Sequence, residues 1–329
     1  KGKSKMYKEG IISVIVPCYN GEKHIKRFMN AVLKQTYKKL ELVIINDGST
    51  DKSEQLIKEY IPKLNNEGVS VKYVSQNNAG LGRAIQKALS MVEGEFFTWF
   101  GIDDWPAATY MQRAIEYLSE HLDVGVVRFD GYLVDENDLN NILGLFAENN
   151  HDKFNPYMFE NAIDEKNFHF GYSVVRTKCF DNANGGRNIY VSKEGQNWQL
   201  LLPVFYYYKA GFIDEPLYYV IEHSDSVSRR ATTYEKKLKQ IKEYQNILLN
   251  TIDKLNIPEK NKYLNRVNLR YAHRFFAWAM GEYDFELAKQ NYIYLKKYHD
   301  LSRQEIKRYK RRIASIEYWI YLKNKLVRN

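Results

Sequence analysis

The chain has 329 residues, 44% of them apolar, enough for one large domain or two smaller ones with a sizeable core. Its net charge of +9 is uneven: residues 231–329 carry 22 Lys and Arg against 10 Asp and Glu, while the first 230 carry 27 against 30. The apolar run 11–16 stops at Pro17, no later stretch reaches membrane-spanning length, and Cys18 and Cys179 stand without a partner motif, so a spanning protein and a disulfide scaffold are both excluded and a cytoplasmic chain, soluble or peripherally attached, is expected.

In chain order, Ile11–Cys18 reads as a strand, followed by a helix from Glu22 to Gln35. Leu40–Ile45 is a second strand, with a helix from Asp51 to Leu64. Val69–Val74 is a third strand, with a helix from Leu81 to Met91. Glu95–Ile102 is a fourth strand, and Pro106, a residue suited to a first helical turn, opens a helix to His121. Alternation of this kind implies an α/β fold with a mainly parallel sheet. Val124–Val134 and Leu217–Ile221 read as further strands and Trp198–Tyr208 as an apolar helix; Asn149–Phe170 shows no clean period. From Tyr234 onward, apolar residues three, four or seven apart (Tyr234, Leu238, Ile241, Leu248, Ile252 and Leu255, then Ile306, Tyr309, Ile313, Ile316 and Ile320) predict three or four amphipathic helices, and Ser302–Glu305 is a capping-box pattern. The domains expected are therefore 1–230 and a basic helical region 231–329.

Ligands of parallel sheets bind at the carboxyl ends of the strands. Four polar segments fall there: Pro17 to Asn20, Asn46 to Ser49, Gln76 to Gly82, and Gly101 to Asp104. Asp103 and Asp104 are adjacent carboxylates after a buried strand. They suit a divalent cation carrying a diphosphate, and a helix N-terminus accounts for them equally well in isolation. Asp47 can accept from the N3–H of uracil and Tyr19 can stack on a base, although Asp-Gly-Ser is also ordinary turn chemistry. Gly80 and Gly82 open a helix whose N-terminus, with Arg83, suits an anion. A Walker loop and a GxGxxG fingerprint are both absent, which counts against kinases and NAD enzymes.

Taken together, Ser13–Asn20, Val43–Asp51, Asn78–Gly82, Gly94-Glu95 and Asp103-Asp104 resemble, in order and spacing over residues 11–120, the family 2 glycosyltransferases with the GT-A fold, of the bacterial surface-polysaccharide type. The resemblance implies an inverting, hexosyltransferase-type enzyme with a nucleotide-diphosphate sugar donor, usually UDP-linked, a Mn²⁺ or Mg²⁺ cofactor, and a saccharide or lipid-linked acceptor. By motif position, Pro17, Tyr19, Asn20, Glu22 and Asp47 would line the nucleoside pocket. Gly80 and Arg83 would lie near phosphate or ribose, Asp103 near ribose and metal, and Asp104 would be the main metal ligand. Two departures stand out. Gly101 replaces the first Asp of the family's Asp-x-Asp-Asp, and Gln196-Asn197 replaces the Glu-Asp pair whose Asp is the catalytic base. Glu194 is the nearest carboxylate able to take that role. In the segment 222–230, the resemblance points to His223 as a metal or phosphate ligand and to Arg229 as a cation on the leaving nucleotide. A non-catalytic glycan-binding relative is the alternative reading, and a sugar-phosphate nucleotidyltransferase is disfavoured because no Gly-rich loop follows the first strand. The basic tail suits an anionic membrane surface, an anionic polymer, a homodimer contact or a solvated helical face; no nucleic acid is expected.

Overall fold

The structure, a computed structural model, describes residues 7–165, 170–192, 194–222, 233–312 and 314. The chain divides into two compact units, the first made of Lys1–Arg230 with Asn246–Lys260 and the second of Ala231–Gln245 with Asn261–Asn329.

The first unit is built on β1 (Lys8–Cys18), β2 (Leu40–Asp47), β3 (Ser70–Gln76) and β4 (Gly94–Trp99), in the spatial order β3-β2-β1-β4 and all parallel. Every residue from Ile12 to Val16 and from Leu40 to Asp47 is buried, as strands covered on both faces require. The covering helices are α1 (Glu22–Leu33), α2 (Ser53–Asn66) and α3 (Leu81–Met91). In α1 the buried residues Ile25, Phe28, Met29 and Val32 recur at helical spacing, so one stripe meets the sheet. Each such side chain contributes roughly 1.5–3 kcal/mol by leaving water.

Beyond β4 the order continues β8 (Ser173–Arg176), β6 (Val124–Asp135), β9 (Lys209–Glu222) and β5 (Trp105–Pro106), with β7 (Ile142–Leu145) paired to β6. The short strand β8 is antiparallel to both β4 and β6, while β6 and β9 run parallel. The sheet is thus mixed: the long pairings among β1–β4 and between β6 and β9 are parallel, as expected, while the short strands β5, β7 and β8 pair antiparallel. Helices α4 (Tyr110–Glu120), α5 (Phe159–Asp164), α6 (Thr177–Ala183) and α7 (Asn197–Tyr207) complete the unit.

One sequence expectation needs correction. Pro106 does not open a helix; Trp105 and Pro106 are extended and pair with Tyr219 and Tyr218. The residue before a proline avoids the helical region, and the amide of Ala107 donates to Leu217 O at 2.8 Å, holding the chain to β9. Helix α4 starts only at Tyr110. Its entry is set by Gln35, whose side chain donates to Ala107 O at 2.7 Å and accepts from the Met111 amide at 3.3 Å. A buried glutamine just beyond the end of α1 replaces the local cap.

Of the tail, α8 (Tyr234–Lys254) begins in the second unit and ends in the first, so besides the break after Arg230 another falls inside this helix, between Gln245 and Asn246. The rest of the second unit comprises α9 (Lys260–Glu282), α10 (Phe285–Lys297) and a helix over 303–312. Its core holds Ala272, Phe276, Ala279, Tyr292, Leu295 and Tyr309, with the Tyr292 and Tyr309 rings stacked at 4.0 Å. The capping box forms: Ser302 Oγ accepts from the Glu305 amide at 3.2 Å, and Glu305 Oε2 accepts from the Ser302 amide at 2.8 Å. Among the described residues no helix is long and apolar enough to cross a membrane.

Candidate functional site

The four parallel strands end on one edge, and the loops leaving them interlock. The loop after β1 and the loop after β2 are joined by reciprocal bonds. Asn20 N donates to Ser49 Oγ at 2.9 Å and the Thr50 amide donates to Asn20 Oδ1 at 2.8 Å. Gly21 N donates to Ser53 Oγ at 2.8 Å. The Glu22 amide donates to Asp51 Oδ2 at 3.0 Å and Glu22 Oε2 accepts from the Lys52 amide at 3.2 Å. Asn20 has φ 50°, a conformation asparagine tolerates better than most residues. The amides of Asn20 and Glu22, with Asn20 Oδ1 and Glu22 Oε2, are thus committed to the neighbouring loop. Pro17 is half-buried at the strand exit, and the Tyr19 ring is 53% exposed and available as a stacking surface.

Asp47 is buried, and both its oxygens are engaged. Oδ1 accepts from Gln76 Nε2 at 2.7 Å and from the Ala79 amide at 2.9 Å; Oδ2 accepts from the Gly80 amide at 2.8 Å. The carboxylate therefore shapes the loop that leads into α3. Gly48 (φ 73°) lies so close to this loop that a Cβ would come within 2.6 Å of Asn78 N. At the start of α3 the amides of Arg83 and Ala84 fold back onto Gly80 O, and the exposed Arg83 forms no ion pair among the described residues. An exposed cation beside a helix N-terminus is suited to an anionic group.

After β4, the turn Gly101–Asp104 closes with the Asp104 amide donating to Gly101 O at 3.2 Å. Asp104 Oδ1 accepts from the Ile221 amide at 3.0 Å, and Oδ2 accepts from the Tyr172 hydroxyl at 2.5 Å. Tyr172 in turn accepts from the Gly101 amide at 3.2 Å and stacks on Phe100 at 4.2 Å. Asp104 keeps some surface at solvent, yet protein packs densely around its carboxyl group. Burial, then the adjacent Asp103 charge, push it up to about 8, against the opposing pull of Tyr172, the Ile221 amide and Arg27. The same surroundings push the Tyr172 phenol well above its ordinary value, burial first and the Asp104 and Asp103 charges next. Gly101, where the family often has Asp, leaves space that Asp103 uses: a Cβ there would sit 2.5 Å from Asp103 Oδ1.

Among the described residues no group of three or more His, Cys, Asp or Glu is arranged as a metal cluster. Asp103 and Asp104 nevertheless fit a divalent cation bound together with phosphate oxygens. They are adjacent and offer the carboxylate oxygens that such an ion prefers. His223 and Arg229 lie outside the described residues.

The segment before α7 approaches from the other side. Gly82 packs so tightly on it that a Cβ would meet Ser192 O at 2.5 Å and Gln196 Oε1 at 3.2 Å. Gln196 is buried, and its Nε2 donates to Ser192 O and to Glu194 O, each at 3.0 Å. A glutamate at 196 would set a carboxylate against two carbonyl oxygens, so the amide is what this loop requires. Asn197 Oδ1 accepts from Trp99 Nε1 at 3.1 Å, tying the start of α7 to the end of β4. Glu194 is half-buried in this loop, with its amide donating to Ser192 Oγ at 3.0 Å. Strand order alone gives no hint of Tyr172 or Gln76. Tyr172 reaches Asp104 from 68 residues away, and Gln76, in the polar segment at the end of the third strand, carries no sequence mark of its bond to Asp47.

The family model for glycosyl transferase family 2 matches residues 13–183, about half the chain. The chain is 27% identical over 205 residues to the glycosyltransferase GlyA of Streptococcus pneumoniae serotype 4, covering 62% of this chain and 25% of that protein. It is 35% identical over 122 residues to the poly(ribitol-phosphate) β-N-acetylglucosaminyltransferase TarS of Staphylococcus aureus, covering 36% of this chain and 21% of that one. The matches thus span about a quarter and about a fifth of these two relatives. Residues 1–349 of S. aureus TarS superimpose with a TM-score of 0.56 at 22% identity, over 79% of this chain and 71% of that structure. The same fragment in complex with UDP-GlcNAc gives 0.57 at 19%, over 91% and 89%. The fold is therefore that of the GT-A enzymes, and by the match of its first half the chain belongs to glycosyl transferase family 2.

Proposed function

We propose that this chain transfers a hexose-type sugar from a UDP-sugar to a hydroxyl of a surface glycan or lipid-linked saccharide, with inversion at the anomeric carbon. The reading is carried by the Asp103–Asp104 turn, held at the same sheet edge as the Asn20–Thr50 clamp and the Asp47-shaped loop. Tyr19, on the clamp, offers a face for the base, with Pro17, Asn20, Glu22 and Asp47 forming the frame behind it. Gly80 and Arg83 meet the diphosphate. UDP-GlcNAc is the first donor to test, because TarS has been crystallised with it.

Asp103 and Asp104, with His223 from the segment 223–230, would hold Mn²⁺ or Mg²⁺; such an ion offsets charge on a departing diphosphate. In the transfer, the acceptor oxygen forms a bond to the anomeric carbon as the bond from that carbon to the diphosphate oxygen breaks. The electron pair leaves with the nucleoside diphosphate, whose negative charge Arg83 and Arg229 oppose. The acceptor proton passes to Glu194, on the loop that Gly82 contacts. In the basic region 231–329, contact with an anionic membrane at the cytoplasmic face would bring the protein to a lipid-linked acceptor.

A screen of nucleotide sugars for Mn²⁺-stimulated release of nucleoside diphosphate tests this reading. Release with one UDP-sugar, lost in Asp104→Asn, is the expected result. Binding of saccharide with no release from any donor would instead favour the non-catalytic, glycan-binding reading that the Gln196-Asn197 pair leaves open.

A further inference from the structure

Arg27 lies on the flank of α1, beside the stripe of Ile25, Phe28 and Met29 that faces the core. Its Nη2 donates to Asp103 O at 2.6 Å and to His24 Nδ1 at 3.0 Å. The guanidinium rests on the Trp105 ring, 4.5 Å from its centroid. Trp105 stacks on Tyr219 at 4.9 Å, and Tyr219 stacks on Tyr132 at 5.1 Å. The Arg27 Nε is buried without a hydrogen-bond partner.

Such a half-buried cation is costly unless its surroundings compensate it. Here the charges of Asp104 and Asp103 oppose the burial that draws the guanidinium down from its ordinary range. An arginine serving only to pack α1 would need neither the stack nor the carbonyl of the turn. The bonded carbonyl belongs to the peptide joining Asp103 to Asp104. Rotation of that peptide swings both carboxylates. Tyr172 and the Ile221 amide hold the Asp104 side chain, and Arg27 holds the peptide that precedes it.

We propose that Arg27 is a positioning residue that fixes the Asp103–Asp104 peptide, and through it the direction in which the two carboxylates meet a divalent cation and the donor diphosphate. The proposal deepens the donor reading above and rests on it for its functional half. Lysine does not substitute, because a point charge on a flexible stem can neither donate from one planar nitrogen to two acceptors nor stack flat on an indole.

The test compares full-length Arg27→Met and Arg27→Lys with the parent. Hydrogen exchange of the 101–104 segment reads the turn, and electron paramagnetic resonance reads Mn²⁺ alone. In both variants the segment should exchange about tenfold faster or more, and Mn²⁺ affinity should fall about tenfold, with the unfolding midpoint little changed. Unchanged exchange in Arg27→Met overturns the proposal, as does full recovery by Arg27→Lys, which would make charge alone the agent. Should Arg27→Met not fold, Trp105→Leu, which removes the ring under Arg27 and its stack on Tyr219 but leaves the Arg27–Asp103 hydrogen bond in place, must loosen the same segment. A parent chain that binds no Mn²⁺ and releases no nucleotide defeats the donor reading, while the exchange data still decide whether Arg27 pins the turn.

Discussion

At Asp104 the folded chain holds a proton up to about 8 that the unfolded chain gives up near 3.8. Between those values the native state binds more protons, so the stability this group contributes falls as pH rises. In the metal-free protein, the melting temperature of the parent should drop relative to Asp104→Asn between about pH 5 and pH 8, and Mn²⁺ at the upper end should restore the parent but not the variant. A parallel pair of melting curves would refute this. Gln196 offers a second case. Exchange to Glu removes a donor from two carbonyls and should cost about 1–3 kcal/mol in urea unfolding at neutral pH. Asn197→Asp should cost much less, because the acceptor for Trp99 Nε1 survives. The two neighbouring amides thus answer different demands of the fold: 196 must donate, and 197 need only accept.

Among the elements, α3 packs closely against the backbone of the loop before α7 at Gly82. Gly82→Ala would drive a methyl group into the Ser192 backbone, so overpacking should destabilise by about 1–3 kcal/mol. Nucleotide release should also slow, since the helix start and the Glu194 loop would be forced apart. Local pattern made β1 through α3 readable, because β1 and β2 are covered on both faces, β3 is a short β-branched run at the sheet edge, and each helix has its own apolar stripe. The same logic misread Pro106, whose extended partner Tyr218 lies in a strand more than a hundred residues on. It was silent on β8, a four-residue antiparallel insertion between β4 and β6. Asp103 and Asp104 were legible by their place after the fourth strand. Tyr172, which orients one of them, was not, because it lies just past a stretch without a clean period and its role exists only in three dimensions.

For the molecule as a whole, residues 246–260 belong to the first unit although they follow the segment 231–245 assigned to the second. Ile247, Leu248, Ile252 and Leu255 are buried there, and Tyr207 donates to Asn256 O at 2.9 Å. Chains ended after Arg230 lose this cover, and each lost aliphatic side chain is worth roughly 1.5–3 kcal/mol. A chain ended after Lys260 should unfold at a urea concentration near that of the full chain's first transition, whereas one ended after Arg230 should aggregate or unfold well below it. The longer truncation is also the proper control for liposome sedimentation. Binding to anionic vesicles that persists without residues 261–329 would sink the membrane contact assigned to the basic tail.

The clamp between the first two loops carries a consequence for inheritance. Asn20 meets Thr50 and Ser49, and Glu22 meets Lys52 and Asp51, through bonds in which each side supplies what the other lacks. A substitution on one loop alone leaves its counterpart without a mate. Because each bond joins a side chain of one loop to a main-chain amide of the other, Asn20, Glu22, Ser49, Asp51 and Ser53 should each be retained over descent rather than exchanged in pairs, and any graft onto this scaffold must carry both stretches as one unit.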